Sequence, residues 1–156
     1  MRHRRAFIAL AALVMITAAL TLAGCGGKKV VKPSEESVRA SRALGALQDM
    51  ERAYEARDIK GVMEHVSQDL RGGYAEYMSH IRKDVEAFKK IQLETRVDRV
   101  EETADEVRLV FHWNCRWTTD EGKTVEGRGN SVFVYTDKGT VSLVSVTGDS
   151  PFGVVK

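Results

Sequence analysis

His112 and Cys115 come closest to a metal-ligating pair, three residues apart in Phe111-His112-Trp113-Asn114-Cys115. Imidazole and thiolate are the ligands that zinc or copper takes. The surrounding residues alternate apolar and polar, which predicts a strand, and residues three apart on a strand point to opposite faces. The two cannot share an ion. His65 and His80 fall in stretches of helical period, outside any HExxH pattern, and there is no CxxC pair. The chain therefore calls for no metal and no cofactor. Nucleophilic chemistry fares no better: there is no G-x-S-x-G word, and Gly26-Gly27, Gly72-Gly73 and the Gly148–Gly153 turn do not follow a strand and open a helix as a phosphate loop does. Asp69 and Asp149 fall at predicted element ends, where Asp serves turns and caps.

The predicted strand from Val107 to Thr118 is the element on which any site must be built. One face carries Val107, Leu109, Phe111, Trp113, Cys115 and Trp117, and so both tryptophans of the chain. Large rings dominate a core or a pocket by the area they bury. Cys115 between them reads as a buried, inert thiol. No carboxylate lies on this face, and a general base must stand within hydrogen-bond reach of its proton. The opposite face carries Arg108, His112 and Arg116 at every fourth position. They read as a solvated outer face balanced by acids of the preceding strand, or as a strip for a partner.

The first 24 residues are a secretory signal: Arg2, His3, Arg4 and Arg5, then an apolar run from Ala6 to Leu20, then small residues. Leu22-Ala23-Gly24-Cys25 resembles the lipobox of bacterial lipoproteins. The resemblance implies cleavage before Cys25, a diacylglycerol thioether on Cys25 and an acylated new N-terminus. Several acyl chains anchor stably where one does not. In a Gram-negative host, Gly26 after that cysteine implies the outer membrane, with the domain facing the periplasm. Residues 25–33 form the lipidated cysteine and a tether, and residues 34–156 the folded domain. Loss of Arg2, Arg4 and Arg5 takes 24 bases to 21 against 22 acids, a net charge of −1. The pI of 8.6 thus belongs to the signal, and nucleic acid is not an expected partner. The remaining 132 of 156 residues suffice for one core that buries roughly two-thirds of the unfolded surface.

Three amphipathic helices are predicted next. The first starts at Ser34 and carries Val38, Leu44, Leu47, Met50 and Tyr54. The second covers Ile59 to Val66. The third carries Tyr74, Tyr77, Met78, Ile81, Val85 and Phe88 and ends near Lys90. Asp69 to Gly73 reads as a loop. From Ile91 the period becomes two, and four strands follow, the last two joined by the hairpin signal Asp137-Lys138-Gly139. Helices first and strands after argue an α+β domain, with the helices on one face of a curved four-stranded antiparallel meander.

This order, the words Tyr54-Glu55-Ala56-Arg57-Asp58-Ile59-Lys60-Gly61-Val62-Met63 and Val146-Thr147-Gly148-Asp149, and the aromatic strand between them resemble the nuclear transport factor 2-like superfamily, which includes SnoaL-like and ketosteroid isomerase-like proteins. The resemblance spans about residues 38 to 153. It implies a cone with a cystatin-like arrangement of helices on sheet, a pocket between the two, and often a homodimer through the outer face of the sheet. The pocket residues would be Tyr54, Tyr77, Met78, Phe88, Trp113, Cys115, Trp117, Phe133 and Tyr135. Ketosteroid isomerase-like enzymes use a carboxylate base with an oxyanion site of a tyrosine and a protonated acid. Tyr54 can be compared with that tyrosine, but no acid-bearing strand is predicted for the base. The expectation is a membrane-anchored binding or accessory module whose partner is a hydrophobic small molecule or an envelope protein. The alternative is a small isomerase-like enzyme acting on a hydrophobic substrate.

Overall fold

The computed structural model describes residues 33–155. The signal, Cys25 and the tether before Pro33 lie outside the described residues.

Helix α1, Glu35–Glu55, begins where the Ser34 side chain accepts the Ser37 amide at 3.1 Å. Its buried face is Ala43, Ala46, Leu47, Met50 and Tyr54, the spacing of one helical stripe. The helix ends without glycine. Arg57 takes the left-handed conformation, φ 61°, so that its own amide reaches Tyr54 O and the Asp58 amide reaches Ala53 O. That pair of bonds closes a Schellman cap. Asp58 then caps the short helix α2, Ile59–Met63, by accepting the Gly61 amide at 3.0 Å. Helix α3, Tyr74–Ala87, follows strand β1, Val66–Arg71. Strands β2, Lys90–Glu102, β3, Glu106–Thr118, β4, Thr124–Asp137, and β5, Val141–Gly148, complete the domain.

The sheet has five strands in the order β1-β5-β4-β3-β2, and it is mixed. Two sequence expectations change here. The meander is antiparallel from β2 to β5, but β1 adds a fifth strand, parallel to β5, with Leu143 N donating to His65 O at 2.7 Å. The stretch read as the second helix and a loop is therefore a shorter helix and this edge strand. Its polar run Ser67-Gln68-Asp69 hides it from any alternation rule, and a wide irregularity separates the pairs Val66 with Leu143 and Arg71 with Ser145. Asp69 does stand on a strand, but it is exposed.

Strand β5 carries a bulge opposite Val134 and Tyr135. One extra residue flips the parity of the residues beyond it. Leu143 and Val146, rather than Leu143 and Ser145, therefore share the core face. The long strand β3 behaves as its alternation demands: Val107, Leu109, Phe111, Trp113, Cys115 and Trp117 are all buried.

Candidate functional site

Helices α1 and α3 bring polar atoms to the aromatic face of the sheet. The Tyr54 hydroxyl accepts a hydrogen bond from Trp117 Nε1 at 3.1 Å and donates to Asp84 Oδ2 at 2.6 Å. Asp84 is fully buried on α3. The backbone amides of Gly153 and Val154 also donate to Oδ2, at 2.6 and 3.0 Å, and that of Val155 to Oδ1 at 2.8 Å. Oδ2 takes three of these four donors and Oδ1 one, so the carboxylate is engaged on both oxygens. Burial, reinforced by the Asp84 charge, pushes the Tyr54 phenol far above its usual range and keeps it a neutral donor.

The segment after β5 straps this network down. Asp149 O accepts from Trp113 Nε1 at 2.6 Å and from the Ser131 hydroxyl. Phe152 enters the core, its ring centroid 5.0 Å from that of Tyr54 in an edge contact and 6.0 Å from that of Phe133. Gly153, at φ +76°, passes so near His80 that a Cβ there would lie 2.6 Å from the His80 Cβ. Through Phe152 the strap packs between helix α1 and the inner face of the sheet.

Strand β4 shapes the other side. Trp113 and Trp117 are roughly 13 Å apart along the strand by its rise, yet their ring centroids are 6.2 Å apart, at an interplanar angle of 77°. The rings lean together over Gly127 and Gly129. A Cβ on Gly127 would fall 2.7 Å from Trp117 Cζ3, and one on Gly129 would fall 2.8 Å from Trp113 Cζ2.

Of the nine residues named as pocket lining, Tyr54, Phe88, Trp113, Cys115 and Trp117 gather at this end of the sheet, Phe88 with its ring 6.0 Å from that of Trp117. Burial pushes the Cys115 thiol up to about 12. Phe133 and Tyr135 lie deeper, among Phe111 and Met50, with the Tyr135 hydroxyl 3.6 Å from Met50 Sδ. Met78 and Tyr77 are half-buried at the margin of the core. The Tyr77 hydroxyl is shut from solvent without a hydrogen-bond partner. Burial first, then the Asp84 charge, raises its pKa; Ser150, engaged with the Phe152 backbone, tempers the shift from outside hydrogen-bond geometry.

Two central residues escape the sequence reading. Asp84 sits three residues after Ile81 and seven after Tyr77, on the apolar stripe of its helix, and a charge at that period is the signal that marks it. Phe152, in a run of turn residues, carries no periodic signal at all. Two acids of α1 also reach the sheet. Glu55 accepts the Leu93 amide at 2.8 Å on the free edge of β2, and Glu51 accepts the Thr95 hydroxyl at 2.8 Å. Burial raises the Glu51 pKa, the Thr95 bond lowers it, and the Glu55 charge adds to the rise.

On the outer face, the three basic residues at every fourth position of β3 each lie against an acid. Arg108 pairs with Glu101 and His112 with Asp98, both on β2; Arg116 pairs with Glu126 on β4. Among the described residues, no three of His, Cys, Asp and Glu are grouped as a metal site.

No family model and no curated protein matches the chain. Solved structures do. A nuclear transport factor 2-like superfamily protein from Salmonella enterica superposes with a TM-score of 0.63 at 13% identity, over 74% of this chain and 93% of that one. A nuclear transport factor 2-like protein of unknown function from Shewanella oneidensis gives 0.58 at 12%, over 72% and 99%. A member of the same family from Streptomyces avermitilis, to which a dehydratase activity has been ascribed, gives 0.62 at 14%, over 71% and 95%. The fold is nuclear transport factor 2-like. At these identities the likeness establishes the architecture alone.

Proposed function

We propose that this chain is an envelope lipoprotein, held to the membrane by acyl chains on Cys25, whose nuclear transport factor 2-like domain works by binding and not by catalysis. The observation that carries the non-catalytic reading is the strap: Phe152 packs into the interior, and the amides after it engage both oxygens of Asp84, the acid bonded to Tyr54. The anchor rests on the Leu22-Ala23-Gly24-Cys25 word behind an arginine-rich and apolar leader. With the interior occupied, the domain acts as an accessory through its surface, toward another envelope protein or a polar ligand.

Two measurements test the two halves. Labelled fatty acid is incorporated into the wild-type chain and not into Cys25→Ser, which stays uncleaved; label retained in the variant ends the lipoprotein reading. Tryptophan emission of the folded protein is blue-shifted and unmoved by small hydrophobes and lipids. A saturable change would instead mean an open interior.

Glu51 favours the second reading, an isomerase-like enzyme, because it is a half-buried carboxylate with a raised pKa. Its bond to Thr95 is compatible with a base. Turnover of a hydrophobic ketone that is abolished in Glu51→Gln would establish it.

A further inference from the structure

The outer face of the sheet holds a hollow of about 510 Å³ over the first residues of β2, the last of β3 and the first of β4, with Cys115 and Gly127 at its floor. Register orders its exposed polar side chains in two cross-strand rows. Gln92, Arg116 and Glu126 form one, and Glu94, Asn114 and Arg128 the other.

The first row is closed on itself. Arg116 Nε and one terminal nitrogen both stand 2.8 Å from Glu126 Oε1. The second row is open. Neither Glu94 nor Arg128 has an ion-pair partner among the described residues. A carboxylate, a central amide and a guanidinium therefore face one hollow, on three neighbouring strands.

The geometry points to a binding site for a short zwitterionic peptide, with Glu94 taking its ammonium, Arg128 its carboxylate and Asn114 a peptide group between them. Three facts select this ligand. First, Cα atoms two strands apart lie about 10 Å apart. That separation is the span of about three extended residues, at about 3.5 Å each. Second, two acids and two arginines line the hollow, so its charge sums to zero: a polyanion meets Glu94 and Glu126, and a bare cation meets Arg116 and Arg128. Third, Glu94 on β2 and Arg128 on β4 stand at opposite ends of their row with Asn114 between them, so the row has one acidic and one basic end. Guanidinium to carboxylate is also the pairing whose planar fork holds a peptide C-terminus best. The inference deepens the reading of the domain as a surface binder and rests on it; it does not depend on the anchor.

Titration of the full chain in detergent micelles with trialanine, followed by calorimetry and by amide shifts of β2 to β4, tests the site. Trialanine binds, and blocking either end by N-acetylation or C-amidation weakens it about fivefold, the scale of one exposed ion pair. Glu94→Gln weakens free trialanine by the same factor and leaves the N-acetylated form unchanged. Arg128→Gln does the same for the amidated form. All six side chains are exposed, and circular dichroism verifies that the variants fold. Three results would overturn the site: no shifts at millimolar peptide, shifts indifferent to both substitutions, or sedimentation showing the face covered by a second copy. None of these touches tryptophan emission or fatty-acid labelling, so failure here is separable from failure of the broader reading.

Discussion

The Tyr54 hydroxyl stands 2.6 Å from Asp84 Oδ2, across the gap between α1 and α3. It joins Trp117 on the sheet to the C-terminal strap through one buried carboxylate. Removing one partner of a buried, charge-assisted bond leaves the other unsatisfied. Asp84→Asn keeps the volume but replaces an acceptor with an NH₂ that faces donors. It should lower unfolding free energy by about 3 kcal/mol, and Tyr54→Phe by about 1–3 kcal/mol. Because the two groups touch, the double variant should lose less than the sum of the two. Urea denaturation of the four proteins measures this; strict additivity would mean that the bond contributes nothing.

Glycine to alanine should have opposite signs at two places. Gly45 on α1 has nothing within 4 Å of an added Cβ, so Gly45→Ala should stabilise by up to about 1 kcal/mol through helix propensity. Gly127→Ala drives a methyl into the Trp117 ring. It should destabilise by about 1–3 kcal/mol, as overpacking does, and shift tryptophan emission. A neutral Gly127→Ala would mean that the indoles are loosely held.

Strand β3 was legible in full, since its side chains alternate between a buried and a wet face and the sequence records that alternation. The matched charges outside were legible for the same reason, though Glu126 of β4, not an acid of β2, answers Arg116. β1 was hidden because an irregular edge strand has no period to read. Phe152 was hidden for a different reason: its partners Tyr54 and Phe133 are remote in sequence, and no local pattern encodes such a contact. Asp84 left a local mark, a charge on the apolar stripe of its helix, but its partners, Val154 among them at 70 residues' distance, left none. Gly127 and Gly129 did leave a trace. Two glycines within a strand mark a close approach, and here the approach is by indoles.

Alkaline pH should unfold the protein before it does anything else. Burial holds the Cys115 thiol up to about 12 against an ordinary 9.0, and raises Tyr54, Tyr77 and Tyr135 above their ordinary 10.0. These groups stay protonated in the native state when the unfolded chain has released them. The unfolded state then binds fewer protons, and stability falls as pH rises. The stabilisation is complete below about pH 9 and is lost progressively above it, first through the thiol and then through the phenols. Urea midpoints between neutrality and about pH 11 should show a decline that begins above pH 9 and begins later in Cys115→Ala. At neutral pH a thiol reagent should label Cys115 only after denaturation. Fast labelling of the folded chain, or a flat midpoint to pH 11, would contradict the burial of this face.

Trp117 decides whether the aromatic end of the sheet is core or pocket wall. The residue is 3% exposed. Trp113 meets it edge-on, Phe88 lies against it, Tyr54 takes its N–H, and Gly127 leaves it room on β4. A side chain so enclosed is missed as core is missed. Trp117→Ala should lower stability by about 3–5 kcal/mol. It also strips the Tyr54 hydroxyl of its donor while leaving the bond to Asp84. Phe152→Ala should destabilise by a similar amount, because it empties the strap's place in the interior, and the vacated space should then take up a small apolar probe. Apolar cavities of this kind stay dry and accept such molecules. Thermal melts and probe titration of both variants measure the two effects together. A Trp117→Ala protein that melts like wild type, while the wild type already binds the probe, would show that these rings line a working pocket and that the strap does not close it.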